Sequence, residues 1–201
     1  METITQVLQQ SRGCVVPQSS ATSICTLSQT RQAEILGRWP NTQALTDAFS
    51  PNKQHEHYAL GERCYTGTAP TLSEAKAVYG TRVDVAWVLI QLSYINELVG
   101  SKGKMTQLQL EATANDIANL YYHLKISELQ IFFYQFRIGK YEQFYGSVDP
   151  QVILRSLKTF MLDRADALNR IDMERRRKER EEENKYAVSY EEYLRLKHNT
   201  K

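Results

Sequence analysis

The chain contains no apolar stretch long enough to cross a membrane. Its most apolar segment, residues 83–99, is interrupted by Asp84, Gln91, Asn96 and Glu97. A membrane-spanning helix needs about 20 consecutive apolar residues. The N-terminal sequence METITQVLQQSRG also lacks the basic start and apolar core of a secretory leader. We therefore expect a cytoplasmic protein that does not enter a membrane.

The chain is also poor in cysteine and in metal-ligand patterns. It has three cysteines, Cys14, Cys25 and Cys64, an odd number without paired spacing, which argues against a disulfide framework. His55 and His57 lie two residues apart, so they cannot share a helical face. No cysteine or carboxylate set at ligand spacing accompanies them. We expect no metal and no other cofactor.

The chain also lacks a large excess of either positive or negative charge. The formal net charge is +2, which excludes the overall field of a histone-like nucleic-acid binder but leaves room for a local basic surface. The 42% hydrophobic and 24% charged fractions are typical of a soluble globular protein. A length of 201 residues suits one domain with additional arms.

Patterning predicts an all-α fold in four parts. Residues 1–24 are rich in Gln, Ser and Thr and form a flexible N-terminal arm. Residues 25–69 form short helices and a loop that pack on the core, the loop spanning 52–70. Residues 70–172 form the compact helical bundle. Residues 173–201 form a charged helical extension, in which the long C-terminal helix continues into solvent, followed by a short terminal helix.

Capping signals place the helices of the bundle. Capping boxes are predicted at Thr26/Gln29, Thr71/Glu74, Thr106/Gln109 and Ser127/Gln130, with Asn41 and Asp149 as further N-caps. Glycines predict helix ends at Gly37, Gly80, Gly100 and Gly139. The helix from Val83 is apolar on most sides, which is typical of a central helix.

The C-terminal sequence predicts a docking element on a charged tether. The segment MERRRKEREEE, residues 173–183, has balanced charges and almost no apolar residue, which favours a solvated helix. A hinge is expected at 184–186, followed by a helix over 190–197. This helix either packs back on the core or binds a partner protein. Its apolar residues, the candidate docking residues, are Tyr190, Tyr193, Leu194 and Leu196.

The aromatic-rich segment 121–145 suggests a second contact surface. The candidate nucleic-acid-binding residues are Arg137, Lys140, Tyr141, Tyr145, Arg155 and Lys158. Basic and aromatic side chains together could hold a phosphate backbone and stack unpaired bases. The alternative is that the aromatic residues pack in the core and the charges form its solvated rim. Helical spacing favours this alternative, while Tyr141 and Tyr145 lie outside the helical runs and keep the first interpretation open.

The sequence does not combine a nucleophile, a base and an acid in a recognisable catalytic pattern. His123 lies between Tyr122 and Leu124 and suits the surface of a bundle. Carboxylates such as Asp116, Glu128 and Asp149 suit a helix surface, the N-terminal charge of a helix and an N-cap, respectively. We therefore expect a protein that is not an enzyme.

Several stretches together resemble one family. They are PTLSEAKAVYG, VAWVLIQL, LKISELQIFFYQFRIGKYEQFYGSVDPQVI and the charged sequence after LDR. Over residues 70–164 the chain resembles a family of small helical proteins of unknown function from Bacteroidetes genomes, often near mobile or phage-derived elements. The resemblance implies an accessory role in DNA replication or maintenance of a mobile element, and the tethered helix is similar to that of phage helicase loaders. It brings no known activity.

Two functions follow as hypotheses. The first is a non-enzymatic adaptor that binds a protein partner through its C-terminal helix and nucleic acid through the turn after Arg137. The second is a protein–protein interaction or regulatory module without nucleic-acid contact.

Overall fold

The computed structural model describes residues 27–80, 82–98, 103–141, 148–185 and 195. It confirms the predicted all-α fold: within these residues there is no strand, only an isolated bridge between Thr71 and Lys125. The helices are α1 Gln29–Arg38, α2 Thr42–Ala48, a 3₁₀ turn Pro51–Lys53, α3 Gln54–Leu60, α4 Arg63–Thr66, α5 Leu72–Tyr79, α6 Val83–Leu98, α7 Gln107–Leu120, α8 Ile126–Arg137 and α9 Pro150–Lys185. The predicted N-terminal arm lies outside the described residues.

Helix α8 lies at the centre of the core. Ten of its residues are buried: Ile126, Ser127, Glu128, Leu129, Gln130, Ile131, Phe132, Phe133, Gln135 and Phe136. Helix α3 packs on it, α6 pairs with α7, and α9 contacts both α7 and α8. The sequence predicted α6 as the central helix, which is wrong because α6 leaves Ile90 and Leu98 exposed.

Two of the predicted capping boxes are present as expected. Thr71 accepts from the Glu74 amide at 3.1 Å and begins α5, which ends at Gly80 with a φ of 102°. Thr106 accepts from the Gln109 amide at 3.3 Å and begins α7. These short-range signals need only local backbone geometry, so they can be read without knowing the tertiary structure.

The predicted caps of α1 and α8 are wrong. Helix α1 is capped by Ser28, whose hydroxyl accepts from the Arg31 amide at 3.3 Å. Helix α8 begins at Ile126, so Ser127 lies within its first turn instead of capping it. The Ser127 hydroxyl donates to the backbone carbonyl of Cys64 at 2.8 Å. The side-chain Nε2 of Gln130 donates to the backbone carbonyl of Phe49 at 2.5 Å. Both side chains therefore make tertiary contacts.

The segment predicted as a loop, residues 52–70, is mostly helical. It contains part of the 3₁₀ turn and helices α3 and α4. The reason lies in the buried Phe49 carbonyl, which accepts from Trp87 Nε1 at 3.1 Å and Gln91 Nε2 at 2.9 Å besides Gln130. The side-chain Nε2 of buried Gln54, at the start of α3, donates to the side-chain Oε1 of Gln91 at 2.9 Å. Tertiary contacts thus fix a segment whose local sequence has no clear helical period.

Helix α9 confirms the prediction of a long helix that leaves the core. It is 36 residues long, which corresponds to about 54 Å. Its buried residues end at Ala167, and every residue from Met173 to Lys185 is exposed. The hinge predicted at 184–186 is wrong for its first two residues, because the helix continues through Lys185. We call residues 173–185 the extension.

Candidate functional site

Of the six candidate nucleic-acid-binding residues, three lie where α8 ends and two lie on α9. Arg137 ends α8, and Lys140 and Tyr141 follow Gly139, whose φ of 78° turns the chain. Lys158 lies on α9 and is exposed, as is Arg155. Tyr145 lies outside the described residues.

Arg137 is held in a stack of tyrosine rings. Its guanidinium carbon lies 5.3 Å from the centre of the Tyr134 ring and 6.0 Å from that of Tyr94, within the range of cation–π attraction. The Tyr58 ring stacks on Tyr134, with centroids 4.7 Å apart and planes 28° apart. We call Tyr58, Tyr94, Tyr134 and Arg137 the tyrosine–arginine stack. It joins α3, α6 and α8.

The guanidinium of Arg137 lacks a hydrogen-bond acceptor within the described part of the chain. Its Nε–H is buried and unpaired. A guanidinium has five N–H donors in a planar fork that fits a carboxylate or phosphate. The stack therefore presents a cation that has no carboxylate partner among the described residues.

Lys140 and Tyr141 are engaged within the protein. Lys140 Nζ lies 2.5 Å from Asp163 Oδ2 on α9 and 5.3 Å from the centre of the Tyr141 ring. Half-buried Tyr141 packs on Phe132 with centroids 5.9 Å apart, and its hydroxyl donates to the Gln135 side chain. Burial raises the pKa of Tyr141, and the charge of Asp163 raises it further. Both side chains therefore already have partners within the described residues.

A cleft of about 630 Å³ lies next to this pair. Helices α3, α4, α8 and α9 border it, and its polar lining includes Tyr58, Tyr65, Gln135, Lys140, Asp163 and Asp166. Burial, and then the charge of Glu128, raise the pKa of Tyr65 to about 12. The lining thus combines phenol groups with side chains of both charges, since Arg170 borders the cleft as well.

Cys64 and His57 precede the cleft residues Tyr65 and Tyr58 in the chain. Their side chains do not form a nucleophile–base pair. Cys64 Sγ donates to the backbone carbonyl of His57 at 3.0 Å, and burial raises the pKa of this thiol to about 11. His57 stacks on Phe49 with centroids 4.9 Å apart, and burial lowers the pKa of its imidazole. Among the described residues no group of three His, Cys, Asp or Glu side chains is placed to hold a metal ion.

The comparison with known families reaches only part of the chain. Residues 104–201 match a family of unknown function, DUF6633. The match begins before α7 and includes α8, α9 and the extension, so it contains Arg137 and Tyr134 but neither Tyr58 nor Tyr94. The resemblance seen in the sequence began earlier, at Pro70, and ended at Arg164. No curated protein and no solved structure matches the chain.

The C-terminal docking prediction falls outside the described residues. This applies to Tyr190, Tyr193, Leu194 and Leu196. In the described ranges no helix combines the length and apolar character of a membrane span.

Sequence reasoning missed three members of the tyrosine–arginine stack. Tyr134 lies three residues before Arg137 on α8, a spacing that places the two side chains side by side, so this pair was available from the sequence. Tyr58 and Tyr94 come from other helices. Only the packing of α3 and α6 around α8 brings them together, and no local pattern indicates it.

Proposed function

We propose that the protein is a non-enzymatic adaptor that binds another protein. Helices α1–α8 and the packed first part of α9 form what we call the head, and the rest of α9 projects from it. The observation that carries this proposal is the course of α9. Its first half packs in the core through Ile153, Leu157 and Phe160, and its last residues leave the head entirely. One continuous helix thus joins the packed head to the segment beyond Lys185.

The extension is built to remain helical without tertiary contacts. Arg175 and Arg176 both pair with Asp172, at 2.5 and 2.8 Å, and Arg177 pairs with Glu181 at 3.5 Å. Such exposed pairs each stabilise a helix by about 0.3–0.5 kcal/mol. The 13 residues of the extension span about 20 Å at the rise of an α-helix. A spacer of this kind keeps a terminal docking segment away from the head.

Charge pairing favours a protein partner over nucleic acid. A phosphate backbone is bound by several cations along its path. Lys140 is paired with Asp163, and Asp166 borders the same cleft. Arginines 175–177 have carboxylate partners on their own helix. These pairs reduce the positive field that a polyanion would need.

The biological setting is the finer part of the proposal. The resemblance to helical proteins near mobile elements suggests that the partner acts in DNA replication or maintenance of such an element. This part rests on the resemblance, and the adaptor role does not depend on it.

Affinity capture after chemical crosslinking in the native host tests the adaptor role. The full chain is compared with a chain that ends at Lys185. We expect a defined partner that the full chain captures and the shortened chain loses. Identical partners for both chains would overturn the role of the terminal segment.

A titration with single-stranded and duplex DNA at low salt tests whether the adaptor also binds nucleic acid, as the first sequence hypothesis expects. We expect no saturable binding. Binding that weakens with salt and is reduced by Lys158→Ala would instead show that the adaptor contacts nucleic acid. Arg63→Ala, which removes one exposed positive charge on α4, serves as the matched control.

A further inference from the structure

Three arginines are half-buried among the residues that the structure describes: Arg31, Arg137 and Arg164. Arg31 pairs with Glu74 at 2.8 Å, and Arg164 pairs with Glu128 at 3.0 Å. Arg137 has no carboxylate partner in the same ranges and leaves its buried Nε–H unpaired. An unpaired buried donor on a charged group is costly, so the partner of Arg137 is to be sought beyond the residues that the structure describes.

The tyrosine–arginine stack fixes the position of this cation. Tyr94 and Tyr134 both lie within cation–π range of the guanidinium, at 6.0 and 5.3 Å, and come from different helices. A stacked guanidinium loses less freedom on binding because its plane is already set. Stacking uses the faces of the group and leaves the N–H edges for an anion.

The charged residues near Arg137 favour a single carboxylate over a nucleic-acid backbone. A guanidinium binds a single carboxylate in a bidentate manner, whereas a nucleic-acid backbone needs further cations nearby. Lys140, which follows α8, is paired with Asp163, and the cleft beside it is bordered by Glu62 and Asp166 as well as by Arg170. These carboxylates repel a polyanion more strongly than they repel one carboxylate placed at Arg137.

We propose that the tyrosine–arginine stack is a docking site for an aspartate or glutamate side chain of the partner protein. Arg137 binds the carboxylate, and the exposed part of Tyr58 packs against the residues beside it. Tyrosine and arginine are the residue types that most often dominate binding energy at protein interfaces. The proposal rests on the adaptor role and adds a second contact on the head to that of the terminal segment.

The test uses the full-length chain labelled with ¹⁵N and, as the probe, a short peptide with one glutamate and blocked ends. The arginine Nε–H signals are followed by NMR at low salt, and Arg137→Ala identifies the signal of Arg137. We expect this signal to shift saturably. Arg137→Ala should weaken binding of the glutamate peptide about tenfold, as expected for loss of a charge-assisted hydrogen-bonded pair. Arg63→Ala, with the same change of net charge, should leave it within about twofold.

Two further variants separate docking from charge alone. Arg137→Lys keeps the positive charge but loses the planar fork, and Tyr134→Leu keeps the arginine but removes one ring of the stack. Both should weaken binding with an unchanged far-ultraviolet circular dichroism spectrum. Full affinity in Arg137→Lys would overturn the proposal.

A twelve-residue oligothymidylate is the competing probe. Tighter binding of this probe than of the single-glutamate peptide at Arg137 would overturn the carboxylate proposal in favour of phosphate. An Arg137 signal that neither probe moves would also overturn it. Neither measurement needs the natural partner, so the result is independent of whether the full chain captures a partner that the chain ending at Lys185 loses.

Discussion

Arg164 on α9 donates its Nε–H to Oε1 of Glu128 on α8 at 3.0 Å, and the Glu128 side chain is 0% exposed. The second oxygen of Glu128 accepts from the Lys125 amide at 2.9 Å. Lys125 in turn donates to the carbonyls of Tyr65 and Gly67, each at 2.7 Å. One buried carboxylate thus connects the long helix, the start of the central helix and the segment around α4.

Replacing Arg164 with alanine should strongly destabilise the head. The substitution leaves the Glu128 carboxylate buried without a counter-charge, and removing one partner of a buried pair costs about 3–5 kcal/mol. Urea unfolding followed by circular dichroism measures the loss. Arg175→Ala removes pairs that are exposed on the extension and should cost about 0.5 kcal/mol or less. Equal losses in the two variants would contradict the structural role of Glu128.

Ser127→Ala tests whether this residue makes a tertiary contact. The substitution leaves the buried Cys64 carbonyl without its donor, which costs about 1–3 kcal/mol. Hydrogen exchange should also accelerate at the Gly67 amide, which bonds to the Arg63 carbonyl in α4 at 2.8 Å. Ser73→Ala, which removes an exposed hydroxyl, is the control and should change stability by about 0.5 kcal/mol or less. A loss confined to α8 would indicate a capping role instead.

The fold was predictable where signals are local. Thr71 with Glu74 and Thr106 with Gln109 each specify a helix start within four residues, and the structure contains both. Ser127 and Gln130 have the same spacing, yet their side chains donate to Cys64 and Phe49, which lie 63 and 81 residues away. A capping box and a pair of tertiary donors look identical in the sequence, because only the position of α4 and α2 decides between them.

The candidate surface was predictable only in part. Arg137 was recognised as a basic residue beside aromatic rings, but its partners Tyr58 and Tyr94 come from distant segments. Lys140 was grouped with Arg137 by its position in the chain. Its pairing with Asp163 depends on how α9 returns along α8, which the turn residues do not encode.

The stability of the head should depend on pH through Glu74. Burial opposes ionisation of this carboxyl, but its hydrogen bonds with Arg31 and Thr71 outweigh burial and lower its pKa below the ordinary 4.5. A lowered native pKa means that the unfolded chain binds more protons. The stabilisation is therefore fully present above the ordinary pKa and is lost as the pH falls through the native pKa.

The matching experiment compares wild type with Glu74→Gln in urea at several pH values between about 7 and 3. The wild type should be more stable at neutral pH, and the difference should shrink as the pH falls below 4.5. Glu62→Gln, which changes an exposed carboxylate, should follow the wild-type profile. A difference between wild type and Glu74→Gln that stays constant over this range would contradict the assignment.

A proline in the extension should break the helix without affecting the head. Arg177→Pro removes one backbone donor and clashes with the preceding turn, so the helical signal of the last residues of α9 should fall. Because residues 173–185 are exposed, the free energy of unfolding of the head should change by about 0.5 kcal/mol or less. Circular dichroism at 222 nm and urea unfolding measure the two effects.

Thr159→Pro is the matched control for this prediction. Thr159 is exposed too, but it lies in the part of α9 that packs through Leu157 and Phe160. A proline there interrupts a packed helix and should cost about 3 kcal/mol or more. A loss of similar size in Arg177→Pro would mean that the extension stabilises the head and is not a free spacer. If partner capture falls in Arg177→Pro while the head stays intact, the rigid course of the extension itself contributes to docking.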